Sequence, residues 1–261
     1  MRDLVNLDLY PLDQRGSAAW SDLVQSCREG LAEDGFFNLA GFFRSEALND
    51  QVSALKPVLE HQAFAHVRRH NIYFSKTIEG LDPDHPALRE AETSNRTVCA
   101  DQMGEAALIR LYEWPPFAEF LAAVMDKPEL FTMEDPLARV NVMSYSEGEA
   151  LNWHFDRSEF TTTLLLQSPD RGGDFEYDQD LRSEKDPNFD GVADLLEGRR
   201  TPTRIELEPG TLNVFKGKNT AHRVTPVHGN VERIIAVFSF FERPGVLFSD
   251  EERIGFYGRA G

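Results

Sequence analysis

His154-Phe155-Asp156 follows the run Arg139-Val140-Asn141-Val142-Met143-Ser144-Tyr145, and a second histidine stands far downstream in Asn219-Thr220-Ala221-His222-Arg223-Val224-Thr225-Pro226-Val227. If residues 152–156 form a strand, side chains two apart leave on the same face, so His154 and Asp156 project together while Phe155 goes to the other side. A distant histidine on a facing strand would complete two imidazoles and one carboxylate around a metal. With positions left open, that donor set suits non-haem Fe(II) that must also bind a co-substrate and O2. Two histidines and an acid also suit catalytic zinc. Against zinc, HxD on a strand lacks the helical His-x-x-x-His spacing of the common zinc peptidases, and no general-base Glu is evident. Any one of these residues taken alone reads more simply as a hydrogen-bonded strand residue.

Arg233 opens the apolar run Arg233-Ile234-Ile235-Ala236-Val237-Phe238-Ser239-Phe240-Phe241, and on a strand it shares a face with Ile235, Val237 and Ser239. A buried arginine among apolar neighbours needs an anionic partner. If that face looks into a barrel, a small carboxylate held by both guanidinium nitrogens is the natural one.

The elements that must position these residues follow from periodicity. Ser17 can cap a helix to about Asp34, with Trp20, Leu23, Val24, Cys27 and Leu31 on one face, and Gly35 stops it. Residues 36–43 read as a short strand and turn, and Ser45 starts a second helix to about Phe64. Residues 66–106 lack a sustained period and read as a polar surface loop, the kind of segment that carries sites. Helical spacing returns from Leu108 to about Met125 around Trp114-Pro115-Pro116. From Arg139 the spacing predicts strands near 139–146, 151–156, 160–167, 173–177, 203–208, 211–216, 221–227 and 232–242, divided by turn signals such as Gly172-Gly173 and Pro209-Gly210. Antiparallel strands after helices point to an α+β chain with a double-stranded β-helix core, a cupin-like jelly roll. The expected organisation is a single domain over 1–261: helical support and a substrate loop (1–138), the catalytic core (139–244), and a tail (245–261). Residues 182–202 read as an insertion with one short helix, placed to act as a lid.

The 44 acidic and 27 basic residues give a formal net charge of −17, a field that repels phosphate backbones and argues against nucleic acid as a partner. Cys27 and Cys99 stand in no metal-type spacing and read as reduced thiols of a cytoplasmic protein. Neither a signal-peptide pattern nor a run of about 18 apolar residues is present, so no membrane role is expected.

Taken in order, HxD at 154–156, Gly172-Gly173-Asp174-Phe175, Pro209-Gly210, HRVTPV from His222, and Arg233 resemble the Fe(II)- and 2-oxoglutarate-dependent dioxygenases. The resemblance implies that His154, Asp156 and His222 bind iron and that Arg233 holds the distal carboxylate of 2-oxoglutarate, with Tyr145, Asn141 and Thr162 lining that pocket. A narrower likeness covers most of the chain, through Arg69-His70-Asn71-Ile72-Tyr73-Phe74, Leu111-Tyr112-Glu113-Trp114-Pro115-Pro116-Phe117, Leu151-Asn152-Trp153-His154 and Phe256-Tyr257-Gly258-Arg259. These stretches look like the bacterial radical halogenases and hydroxylases of free amino acids such as lysine. Halogenases of that family have Gly or Ala where this chain has Asp156, which leaves an iron position for halide. The resemblance therefore implies hydroxylation, with succinate and CO2 as co-products and O2 as oxidant. Lysine-acting halogenases also place a His and an acid where this chain has Leu151 and Arg157, and Arg157 suits an anionic group on the substrate. Arg96 and Arg69 are expected to grip a substrate carboxylate, and Asn219, Ser239 and Tyr257 to reach the pocket. Desaturation or cyclisation by the same chemistry, and a non-catalytic jelly-roll protein that holds a metal or small ligand, are the competing readings.

Overall fold

A computed structural model describes residues 1–261. Helix α1 (Ala18–Glu33) starts at Ser17, whose hydroxyl accepts from the Trp20 N–H, and strand β1 (Phe36–Leu39) follows. Helix α2 (Ser45–His61) leads into β2 (Phe64–His70) and β3 (Ala91–Cys99), then α3 (Ala107–Tyr112) and α4 (Pro115–Val124). The strand-rich half comprises β4 (Phe131–Thr132), β5 (Val140–Tyr145), β6 (Leu151–His154), β7 (Thr161–Gln167), β8 (Arg171–Gly172) and β9 (Phe175–Asp178). Helix α5 (Phe189–Leu196) and strands β10 (Thr203–Ile205), β11 (Leu212–Phe215), β12 (Ala221–Val224) and β13 (Val227–His228) come next. The chain closes with β14 (Arg233–Phe238), β15 (Phe240–Phe241) and α6 (Asp250–Tyr257).

Two antiparallel sheets face each other as a jelly roll. The larger has the order β1-β11-β7-β14-β5-β3-β2, and the smaller has β10-β9-β12-β6. Alternation divides the large sheet into two chemistries. Val140, Val142, Leu164, Leu166, Val214 and Ala236 face outward into a buried cluster shared with α1 to α4, while Asn141, Tyr145, Thr163, Asn213, Arg233 and Val237 face the small sheet across a cavity. The expected helices and core strands therefore stand within a few residues of their predicted places.

Two expectations change. Residues 64–70 and 91–99 form a hairpin rather than loop, and it extends the large sheet. Its inner positions, among them His66, Arg68, Thr93, Asn95 and Thr97, line the cavity, and a strand with a polar inner face shows no apolar alternation to read. The tail contains α6, capped by Ser249, whose hydroxyl accepts from the Glu252 N–H while the Glu252 carboxylate accepts from the Ser249 N–H. The insertion packs against the small sheet. There Val192 and Leu195 join Trp153 and Phe155, and Arg182 donates to the Lys218 carbonyl (2.7 and 3.0 Å) with its guanidinium 3.9 Å from the Phe155 ring centre.

Cys27 and Cys99 are both free and buried, and burial pushes their thiols up to about 12 and about 11. No helix is long and apolar enough to cross a membrane.

Candidate metal centre

Strand pairing assembles the site. His154 on β6 and His222 on β12 are direct cross-strand partners, which brings their ring centres to 4.1 Å. Asp156 lies two residues beyond His154 but past the end of β6, where its N–H donates to the Gly217 carbonyl (3.0 Å). The expected strand is thus shorter than residues 152–156, and a backbone bond to the β11–β12 connection holds the aspartate instead. Asp156 Oδ1 stands 3.4 Å from Nε2 of both histidines. The three side chains form a group whose candidate ligand atoms all lie within 4.8 Å of one another.

Each imidazole is oriented by the same device. His154 Nδ1 lies 2.8 Å from the Asn152 carbonyl and His222 Nδ1 lies 3.0 Å from the Thr220 carbonyl. A carbonyl can only accept, so both Nδ1 atoms carry the proton and both Nε2 lone pairs converge beside Asp156. Burial lowers the proton affinity of His154, and neighbouring His222 lowers it further. Burial opposes the charge on Asp156, yet the two imidazoles hold its carboxyl well below the usual range. Two imidazoles with Nδ1 committed to carbonyls and a carboxylate converging from one side are the donor set that Fe(II) accepts with positions left open.

The triad opens into a cavity of about 340 Å³ between the sheets. Arg233 lies deep in it, 3 % exposed, with Nε donating to the Gly173 carbonyl at 2.9 Å. Its Nη1 is buried with no partner. Burial works against the guanidinium charge, so an unpartnered guanidinium nitrogen on a residue lining the cavity fits an anionic ligand such as a distal carboxylate. Gly173, at φ +64°, lets the chain pass: a Cβ there would stand 3.0 Å from Arg233 Cδ and 2.9 Å from the Pro169 ring. Tyr145 lies against the guanidinium at 5.8 Å, and its phenol is pushed up to about 12 by burial.

The other expected site residues divide. Asn141 lines the cavity, donating to the Leu137 carbonyl (2.8 Å) and accepting from the Tyr257 hydroxyl (2.9 Å); Tyr257 and Arg157 line it too. Thr162 does not, because β7 turns it to the outer face beside Val214 and Phe238, while Thr161 and Thr163 take the inner positions. Arg96 also points away and is bound to Glu232 and Ser146 on the far side of the sheet. Arg69 is exposed beside Glu90, and the Ser239 hydroxyl donates to the Ala138 carbonyl at 3.2 Å. Asn219 stands outside the cavity lining, and its carbonyl accepts from the Arg182 N–H at 3.2 Å.

Residues the sequence reading passed over are Arg68, whose guanidinium stacks 5.0 Å over Phe74 at the mouth, and Thr161, whose hydroxyl donates to Asp156 Oδ2 at 2.5 Å. His66-Val67-Arg68-Arg69-His70 alternates in a way that would have singled out Arg68 rather than Arg69, had the stretch been read as a strand.

Comparison with known proteins agrees with this geometry. No curated protein matches the chain in sequence. Among solved structures, the 2-oxoglutarate-dependent epimerase SnoN from nogalamycin biosynthesis is similar, with a TM-score of 0.58 at 12% identity over 85% of this chain and 83% of that one. A Pseudomonas putida prolyl-4-hydroxylase superposes with a TM-score of 0.52 at 15% identity, over 83% and 98% of the two chains. An oxidoreductase of the 2OG-Fe(II) oxygenase family from Burkholderia pseudomallei gives 0.52 at 15%, over 89% and 94%. The family model described as halogenase D matches residues 21–246. Both histidines, Asp156 and Arg233 fall inside that match, and the chain belongs to the halogenase D family, with the jelly-roll fold of the non-haem iron, 2-oxoglutarate-dependent oxygenases.

Proposed function

We propose that this chain is an Fe(II)- and 2-oxoglutarate-dependent hydroxylase that acts on an unactivated C–H of a free amino acid or an amino-acid-derived metabolite carrying an anionic group. The observation that carries the reading is Asp156 itself, with Oδ1 3.4 Å from both imidazole Nε2 atoms. Similar folds include an epimerase and a prolyl-4-hydroxylase, so the fold alone does not choose the outcome. A carboxylate beside the two imidazoles would fill the metal position that a halide needs, which favours hydroxylation over halogenation.

Iron with 2-oxoglutarate and O2 would supply the oxidising equivalents, leaving succinate and CO2. The protein supplies placement. His154 and His222 present Nε2 atoms oriented by their Nδ1–carbonyl bonds, and Arg233 would hold the distal carboxylate of the co-substrate in the cavity. Phe175, Leu207, Phe215 and Val224 wall the space around the triad and exclude water. Asp156 is the only carboxylate lining the cavity, whereas Arg68 and Arg157, the latter paired with Glu252 at 3.3 Å, both stand in its wall. A substrate carboxylate has partners there; a second ammonium, such as a lysine side chain carries, has no acid to meet it.

Aerobic incubation with Fe(II), 2-oxoglutarate and a panel of amino acids and their acidic derivatives is expected to release succinate in step with a product heavier by one oxygen atom. If no panel member raises succinate above background, the substrate class is wrong. The iron reading is tested separately by anaerobic addition of 2-oxoglutarate to the Fe(II) protein, which should produce a visible metal-to-ligand charge-transfer band.

A further inference from the structure

The two oxygens of Asp156 live in different surroundings. Oδ1 faces both imidazoles at 3.4 Å, whereas Oδ2 is turned to the wall, where the Thr161 hydroxyl donates to it at 2.5 Å. Gly217 backs the same oxygen. A Cβ at 217 would overlap Oδ2 and stand 2.7 Å from Asp156 Cγ, so the carboxylate sits in a slot that only glycine leaves open. The Gly217 carbonyl also accepts the Asp156 N–H at 3.0 Å, so one residue holds the aspartate backbone and accommodates its side chain. Thr161 comes from β7 of the large sheet, while His154 and His222 belong to the small sheet. The hydroxyl is therefore the tie between the metal ligand and the opposite wall of the cavity.

We propose that Thr161 and Gly217 are positioning residues that enforce one-oxygen coordination by Asp156, an inference that rests on the metal reading above. A carboxylate free to rotate could offer both oxygens to the metal and occupy two positions. Three protein donor atoms leave three positions of an octahedron for a two-toothed co-substrate and O2; a fourth leaves too few. The hydroxyl draws Oδ2 toward β7, and the slot at Gly217 sets the rotation of the carboxylate. Thr161 thereby acts through Asp156, keeping open the positions on which the reaction would depend.

The test uses anaerobic Co(II) as a spectroscopic probe on the full chain, with 2-oxoglutarate added afterwards. Wild type is expected to bind Co(II) and to change its d–d band when 2-oxoglutarate enters. Thr161→Val should bind Co(II) about 10- to 100-fold more weakly or with an altered d–d band, and should show a smaller response to 2-oxoglutarate. Thr161→Ser keeps the hydroxyl and should restore the wild-type spectrum. Gly217→Ala should shift the band in the same sense as Thr161→Val by displacing the carboxylate. Should Thr161→Val fail to fold, Thr161→Ala compared with Thr161→Ser reads the same difference. A wild-type chain that binds no Co(II) would overturn the metal reading. A wild type that binds it, with hydroxyl-free variants of unchanged affinity, spectrum and co-substrate response, would overturn the positioning role alone.

Discussion

The two faces of the large sheet are built from the same strands and follow opposite rules. On the outer face, Val140, Val142, Leu164, Leu166 and Ala236 are buried against α1 to α4, and this packing supplies the apolar burial that stabilises the chain. One residue along each strand, the inner face carries Asn141, Tyr145, Thr161, Thr163, Asn213 and Arg233. These polar groups are costly to bury unless satisfied, and the structure ties them to one another and to the backbone: Asn141 to Tyr257 and Leu137, Thr161 to Asp156, Asn213 to Asn38. Arg233 Nη1 is the exception. The comparison teaches that the outer face makes the sheet stable, and the inner face uses that stability to hold an arrangement that would not persist alone.

Substitutions on the two faces should separate cleanly. The largest effect is expected of Asp156→Gly, which should abolish hydroxylation while leaving the circular dichroism spectrum and cooperative unfolding intact, because the outer face is untouched. Full retention of activity would mean that Asp156 is not a ligand. Leu164→Ala, on the outer face, should cost about 2–5 kcal/mol of stability by denaturant unfolding and leave 2-oxoglutarate affinity unchanged in the folded fraction. Arg233→Ala should weaken 2-oxoglutarate binding by about 10- to 100-fold, the loss expected for hydrogen bonds to a charged group, with little change in Fe(II) affinity. A parallel loss of iron in Arg233→Ala would show that the inner face acts as one unit rather than as separable metal and co-substrate ends.

Much of this division was legible in the chain. The period-two pattern of 139–244 located the strands of both sheets, and Arg233, Ile235 and Val237 share the inner face as their spacing implies. The hairpin 64–70/91–99 was hidden because its inner residues are polar and its outer ones mixed. That error displaced the substrate assignments. A loop offers no basis for choosing between neighbouring arginines, whereas strand alternation puts Arg68 in the cavity wall and turns Arg96 toward Glu232. Thr162 failed for a related reason: a one-residue difference along β7 exchanges the two faces.

The donor types, their order and the α+β jelly-roll class are written along the chain, because ligand chemistry and hydrophobic alternation are local properties. Folding in three dimensions pairs His154 with His222 across neighbouring strands, holds Asp156 by Gly217 and Thr161 rather than by its own strand, and turns Arg68 inward while Arg96 faces out. Register and strand ends arise from pairing between distant segments, and no local spacing specifies which partner a strand will meet.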